Sequence, residues 1–148
     1  MKAISKSALA LLFAIALIGS TAFADSGKTM TIWKNPGCMC CDGYAEYLER
    51  NGFKVTVKAT HDLSAMGRAA GIPEDFQGCH LGMIDGYVVS GHVPVATVNK
   101  LLTERPSIKG VTLPGMPAGS PGMSGQKDSP WEIYAVDDGR SPEIYNVE

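Results

Sequence analysis

The chain has 148 residues, of which 45% are hydrophobic and 19% are charged, with 13 Lys and Arg against 15 Asp and Glu. One domain of this size can bury an adequate core without disulfides to hold it together, so the four cysteines need another reason to be present. The slightly acidic balance and the absence of a basic patch argue against nucleic-acid binding.

The first residues predict export. Two lysines precede an apolar run over residues 8–18, and Ala-Phe-Ala at residues 22–24 has the small-x-small pattern of a signal peptidase site. A run of about 11 apolar residues is shorter than the roughly 20 that span a bilayer, which argues against a membrane anchor. We therefore predict a signal peptide over residues 1–24 and a periplasmic mature domain over residues 25–148, with no later membrane span.

The mature chain begins with a predicted strand, helix and strand. Residues 30–34 alternate as a first strand that ends at an Asn-Pro-Gly turn. Apolar residues at helical spacing predict a helix over residues 42–50, and residues 53–57 alternate again as a second strand. This order and spacing predict a right-handed βαβ unit.

A hairpin follows, between two predicted helices. The first helix covers residues 63–70. The hairpin strands are residues 81–84 and 87–90, joined by an Asp-Gly pair that suits the type I′ turn. The second helix covers residues 95–104 and begins next to a proline.

The remaining residues predict a loop and a second hairpin. Residues 112–127 are rich in Gly, Pro and Met, which favours a long surface loop. Residues 131–136 and 143–147 predict a C-terminal hairpin. The whole order predicts an α/β fold, a thioredoxin-like sandwich in which the βαβ unit is followed by a β-hairpin and a helix.

Three of the four cysteines, Cys38, Cys40 and Cys41, lie within four residues at the start of the first predicted helix. The N-terminus of a helix favours the thiolate form, which is both the nucleophile and the metal ligand. A dithiol cycle needs only two cysteines, whereas a polynuclear Cu(I) site uses as many soft bridging thiolates as can be brought together. We predict that Cys79, just before the third predicted strand, completes a four-sulfur copper site.

Three alternatives stay open for these cysteines. Two structural disulfides suit an exported protein with an even number of cysteines, although a vicinal bond between Cys40 and Cys41 is strained. Zinc is often bound by four cysteines, but usually by two separated pairs. Cys38 and Cys41 also form a Cys-x-x-Cys pair, which suits a thiol-disulfide oxidoreductase with Cys40 or Cys79 as the resolving thiol.

The histidines are weaker candidates. His80 follows Cys79, but neighbouring strand residues point to opposite faces, so their side chains converge only if the chain is irregular there. His61 and His92 lie at the margins of predicted elements, and we assign no role to either.

The methionines are either soft copper ligands or ordinary fillers of apolar gaps. Met83 lies on the predicted hairpin and is expected in the core. Met116 and Met123 lie in the predicted loop, and for them both interpretations stay open, including one in which the loop folds over the cysteines.

Four motifs together resemble the CopG-type periplasmic copper-resistance proteins over essentially the whole mature chain. The motifs are Trp-Lys-Asn-Pro-Gly-Cys-Met-Cys-Cys at residues 33–41, Gly-Cys-His-Leu at residues 78–81, Gly-His-Val-Pro at residues 91–94, and Leu-Pro-Gly-Met-Pro with Gly-Ser-Pro-Gly-Met within residues 113–123. Their common order is more specific than any one motif alone.

This resemblance implies a thioredoxin-like fold and a part in periplasmic copper handling, in company with other copper-handling proteins. It implies that copper is bound by Cys38, Cys40 and Cys41 together with Cys79. It also raises the hypothesis of a redox role that interconverts Cu(I) and Cu(II), so the sequence leaves open whether the protein is an enzyme.

Overall fold

A computed structural model describes residues 28–138 and 140–148 of the chain. The predicted signal peptide over residues 1–24 lies outside these residues. In the described part of the chain, no helix is both long enough and apolar enough to cross a bilayer.

Within the described residues, the chain forms a mixed α/β fold of one seven-stranded sheet and three α-helices, which confirms the predicted class. The strands are β1 (Thr29–Lys34), β2 (Lys54–Ala59), β3 (His80–Ile84), β4 (Tyr87–Ser90), β5 (Gly110–Thr112), β6 (Glu132–Val136) and β7 (Glu143–Val147). The helices are α1 (Met39–Arg50), α2 (Leu63–Ala69) and α3 (Val95–Glu104), and a short 3-10 helix covers Glu74–Phe76.

The strand order in the sheet is β2-β1-β3-β4-β5-β6-β7. The pairs β1/β2 and β4/β5 are parallel, and the other four pairs are antiparallel. Helix α1 therefore connects two parallel neighbours, as the predicted βαβ unit requires. The predicted hairpins are the pairs β3/β4 and β6/β7, and at the β3/β4 turn both Asp85 (φ 49°) and Gly86 (φ 86°) have the positive φ of a type I′ turn.

The sheet buries residues on both faces. Because side chains alternate along each strand, they point to the two faces of the sheet in turn. On one face they join a hydrophobic cluster that includes residues of α1 and α3, and on the other face they join a smaller hydrophobic cluster that includes a residue of α2. Adjacent residues of β4 show this division, since Val89 belongs to the larger cluster and Val88 to the smaller one.

The expectation that Met83 lies in the core is wrong, because its side chain is 43% exposed. Met83 shares a face of β3 with Leu81, which is buried in the smaller cluster. The layer on this face is built around α2, which has only seven residues and is too short to cover the whole strand.

Strand β5 is absent from the sequence-based prediction, which begins a loop at residue 112. A strand of three residues shows no periodicity, and its position is fixed by β4 and β6, which are distant in sequence. Gly110 is required there, since a Cβ at this position would lie 1.9 Å from the Val88 carbonyl oxygen.

Candidate metal site

The Cys-x-Cys-Cys motif occupies the connection between β1 and α1. Gly37 turns the chain with a φ of 76°, and Cys38 is the residue that precedes the first turn of α1. The side chain of Lys34, at the end of β1, donates a hydrogen bond to the Cys38 carbonyl (3.1 Å) and forms an ion pair with Asp42 (2.8 Å). This largely buried lysine therefore ties the end of the strand to the start of the helix.

Cys79 reaches the same place from the neighbouring strand. In the antiparallel pair β1/β3, Lys34 is opposite His80, so the residue before β3 lies beside the connection after β1. On its other side this segment lies close to the residues that follow β4, since a Cβ on Gly78 would lie 2.3 Å from the backbone nitrogen of Gly91.

The structure brings all four sulfurs of the predicted site within 4.8 Å of one another. The Sγ–Sγ distances are 3.5 Å for Cys38 and Cys40, 3.9 Å for Cys40 and Cys79, and 3.4 Å for Cys41 and Cys79. Cys38 and Cys41 form a disulfide, and Cys40 and Cys79 are free. The two structural disulfides considered as an alternative are therefore not formed, but two of the four predicted thiolates are oxidised in this state.

Cys79 is held as a neutral thiol in the absence of metal. Burial raises the pKa of Cys79 to about 12, and the nearby Cys40 thiol adds to the increase. A metal ion that binds this sulfur must displace its proton, so binding at this residue depends on pH.

Two buried histidines lie against Cys79. The distances from Cys79 Sγ are 3.0 Å to His92 Nε2 and 3.6 Å to His80 Nδ1. Burial lowers the pKa of His80 to about 3, with a further contribution from the neighbouring His92, and burial also lowers the pKa of His92. Both rings are therefore mainly neutral near pH 7, which is the metal-binding form of imidazole.

We assigned no role to His92 from the sequence, although the predicted hairpin contains the signal that places it opposite Cys79. In β3/β4, Ile84 pairs with Tyr87 and Leu81 with Ser90. Continuing this register by two residues places Cys79 opposite His92, and opposite residues of an antiparallel pair share a face. His61, by contrast, is exposed and has no place at the site.

His80 also comes close to Cys79, although it is the next residue in the chain. Regular strand geometry begins only at His80, so Cys79 lies just outside it. This is the irregularity that two neighbouring residues need for their side chains to converge.

The Gly/Pro-rich segment packs against the start of α1. A Cβ on Gly122 would lie 2.5 Å from Tyr44 N and 2.8 Å from the Cys40 carbonyl oxygen. The carbonyl of Pro121 lies 2.5 Å from His92 Nδ1. The loop makes these contacts with its backbone atoms. The side chain of Met116, in the same loop, is 41% exposed.

Tyr44 forms the inner wall beside the histidines. It is fully buried, and its hydroxyl donates a hydrogen bond to the Val93 carbonyl (2.8 Å). Its ring stacks on His80, with centroids 4.6 Å apart and an interplanar angle of 28°, and its centroid is 5.4 Å from that of His92. Tyr44 therefore fixes the position of one imidazole ring and limits that of the other.

Comparison with known proteins gives a consistent set of matches. The family model described as "Protein of unknown function, DUF411" matches residues 76–123, a segment that contains Cys79, His80 and His92. Two solved structures, named "Copper resistance protein copG" in Form 1 and Form 2, are each 35% identical to this chain, with a TM-score of 0.75. Each match covers 82% of this chain and 98% of the solved one. No curated protein sequence matches the chain.

Proposed function

Because the chain belongs to the CopG family of copper resistance proteins, we propose that it binds Cu(I) through Cys38, Cys40, Cys41 and Cys79. The observation that carries the proposal is the convergence of four sulfurs within 4.8 Å, although Cys79 is 38 residues from Cys41. Thiolates are the soft ligands that Cu(I) prefers.

The four-thiolate form follows reduction of the bond between Cys38 and Cys41. A dithiol reductant supplies two electrons and two protons, which convert the disulfide into two thiols. Copper ions then displace the protons of the four thiols. Sulfurs of different residues lie as close as 3.4 Å, which supports thiolates that bridge ions and a site holding more than one Cu(I).

The proposed setting is the periplasm, after removal of residues 1–24. The apolar run and the Ala-Phe-Ala sequence support this export. The strand order β2-β1-β3-β4, with α1 directly after β1, supports a thioredoxin-like core. In this setting the site would hold Cu(I) for copper resistance and exchange it with other copper-handling proteins. The proposal also includes a redox role, in which the protein interconverts Cu(I) and Cu(II).

Anaerobic titration of the fully reduced protein with Cu(I) tests the proposal. We expect tight uptake of more than one copper ion per chain, and loss of this capacity in Cys40→Ser. Met39→Leu is the matched control, because it changes an 82% exposed residue of the same motif that is not a cysteine. Binding of a single ion would contradict the polynuclear site, and absence of binding would contradict the proposed function.

A thiol-disulfide oxidoreductase is the second candidate. The observation in its favour is the Cys38–Cys41 disulfide, with Cys79 Sγ 3.4 Å from Cys41 Sγ. A Cys79 thiolate that attacked Cys41 would form a Cys41–Cys79 bond and release Cys38 as a thiolate. The raised pKa of Cys79 opposes this step, because it keeps the attacking group protonated. Reduction of a model disulfide by the metal-free dithiol protein is the expected activity, and its absence would eliminate this candidate.

A further inference from the structure

Ser90 is a buried polar residue at the end of β4. It is only 2% exposed, and the other three residues of this strand are apolar or aromatic and are buried as well. Burying a hydroxyl in such surroundings costs free energy unless the hydroxyl is hydrogen-bonded. The partners of this hydroxyl therefore show what the serine does in the fold.

The Ser90 hydroxyl binds the backbone on both sides of Cys79. The N–H of Gly78 donates a hydrogen bond to Ser90 Oγ (2.9 Å), and the hydroxyl donates one to the His80 carbonyl (3.4 Å). A serine hydroxyl can make both bonds at once, because it has one donor proton and two acceptor lone pairs. One side chain therefore bridges the backbone groups that precede and follow the cysteine.

The sheet fixes the position of this hydroxyl. Ser90 pairs with Leu81 of β3 and with Thr112 of β5. Its carbonyl accepts a hydrogen bond from the N–H of Leu113 (3.0 Å). Because the backbone of Ser90 is held from both sides, its side chain is a rigid anchor for the segment that contains Cys79.

This segment lies where regular strand pairing has ended. Strand β3 begins at His80, whose carbonyl also accepts a hydrogen bond from the N–H of Gly91 (3.3 Å). Cys79 lies outside the strand, and at Gly78 the Ser90 hydroxyl takes the place of a backbone acceptor on a neighbouring strand. The path of the chain around Cys79 therefore depends on a side chain and not only on the sheet.

We propose that Ser90 is a positioning residue for the four-sulfur site: it sets the path of residues 78–80 and thereby holds Cys79 Sγ beside the Cys-x-Cys-Cys motif. The inference rests on the proposed function in taking Cu(I) as the ion bound there. Cys79 is the one cysteine of this set that lies outside the motif, and its sulfur is 3.4 Å from Cys41 Sγ and 3.9 Å from Cys40 Sγ. Ser90 acts on these distances through the backbone and not as a ligand.

The physical effect of Ser90 is preorganisation. A segment that is already ordered loses little conformational entropy when an ion binds, whereas a mobile segment must be ordered at that moment. Without the hydroxyl, the Gly78 N–H loses its acceptor, and Cys79 spends less time within reach of the other sulfurs. Loss of a contact that orients a ligand typically weakens metal binding by about 10- to 100-fold.

The first test needs no metal. In the disulfide form Cys40 and Cys79 are the free thiols, and mass spectrometry after brief treatment with iodoacetamide measures how fast each is alkylated. We expect Ser90→Ala to speed alkylation of Cys79 by about 2- to 10-fold, the factor that corresponds to the net free energy of one hydrogen bond, and to leave Cys40 unchanged. An unchanged rate at Cys79, or an equal increase at both cysteines, would overturn the inference.

Tyr87→Phe is the matched control. Tyr87 lies at the other end of β4, and its largely buried hydroxyl also donates to a backbone carbonyl, that of Pro106 (2.9 Å). The substitution removes the same kind of hydrogen bond from the same strand, so it should leave both alkylation rates as in the wild type. If it speeds alkylation of Cys79 as much as Ser90→Ala does, the effect belongs to the stability of the strand and the positioning role is refuted.

The second test measures Cu(I) binding by the reduced protein in competition with a chelator of known affinity. Ser90→Ala should bind Cu(I) about 10- to 100-fold more weakly than the wild type, and Tyr87→Phe should bind it equally well. X-ray absorption of the loaded Ser90→Ala protein should show a smaller copper–copper contribution, because the remote sulfur is less available to bridge ions. Wild-type affinity and an unchanged spectrum in Ser90→Ala would contradict the proposal.

Hydrogen exchange of the wild-type protein decides the matter if Ser90→Ala does not fold. The Gly78 amide should exchange slowly, because its partner is a buried hydroxyl, and fast exchange there would refute the anchor. Failure of the proposed function has a different signature. Absence of Cu(I) uptake by the reduced wild type would overturn that function, whereas the alkylation and exchange results involve no copper and test the role of Ser90 by themselves.

Discussion

At the scale of single residues, Tyr44 shows how core and site are joined. It is one of the apolar residues at helical spacing in α1, and its side chain is fully buried. The pattern does not show that its hydroxyl binds the Val93 carbonyl or that its ring stacks on His80. Both partners lie on other elements, so these contacts depend on the tertiary fold.

We expect Tyr44→Phe to lower the free energy of unfolding by about 1–3 kcal/mol, because it leaves the Val93 carbonyl without its buried partner. Urea denaturation of the metal-free protein measures the change. Tyr134→Phe is the control, since the Tyr134 hydroxyl contacts only the exposed Glu132 carboxylate and its loss should have little effect. Equal losses in the two variants would contradict the importance assigned to the buried hydrogen bond.

At the scale of elements, local patterns predict the strands and helices but not the path of the long loop. Asp-Gly fixes the β3/β4 register, and that register already implies that Cys79 and His92 are opposite each other. The approach of Gly122 to α1 has no such local signal, because a Gly/Pro-rich segment carries no periodicity to show what it packs against. Strand β5 is missed for the same reason.

Gly122→Ala should destabilise the protein by about 2 kcal/mol or more. The added Cβ meets backbone atoms of Tyr44 and Cys40 at 2.5 and 2.8 Å, and the residue also has a φ of 81°. The loop must then shift, and with it the Pro121 carbonyl that contacts His92 Nδ1.

Gly115→Ala is the matched control for this substitution. Gly115 has a similar φ of 77°, but nothing lies within 4 Å of a Cβ placed there. It should therefore cost only the backbone strain, about 1 kcal/mol. Thermal or urea denaturation compares the two, and a loss in Gly122→Ala no larger than in Gly115→Ala would show that the contact with α1 is unimportant.

At the scale of the whole molecule, the sheet gathers candidate metal-binding residues that are far apart in sequence. Pairing of β1 with β3 brings Cys79 to the Cys-x-Cys-Cys motif, and pairing of β3 with β4 brings His92 to Cys79. The cysteine spacing and the family resemblance predicted the four-sulfur set. The sequence offered Cys38 and Cys41 as one possible redox pair, and these are the two residues that form the disulfide. It could not select that pair over the others, because three cysteines within four residues allow several pairings that local sequence does not distinguish.

The most direct test of the four-sulfur site is copper K-edge X-ray absorption of the reduced protein loaded anaerobically with Cu(I). We expect sulfur as the main neighbour of copper and an additional copper–copper distance, because bridging thiolates hold the ions close together. A spectrum dominated by nitrogen or oxygen neighbours, or one with sulfur but no copper–copper contribution, would contradict a polynuclear cysteine site.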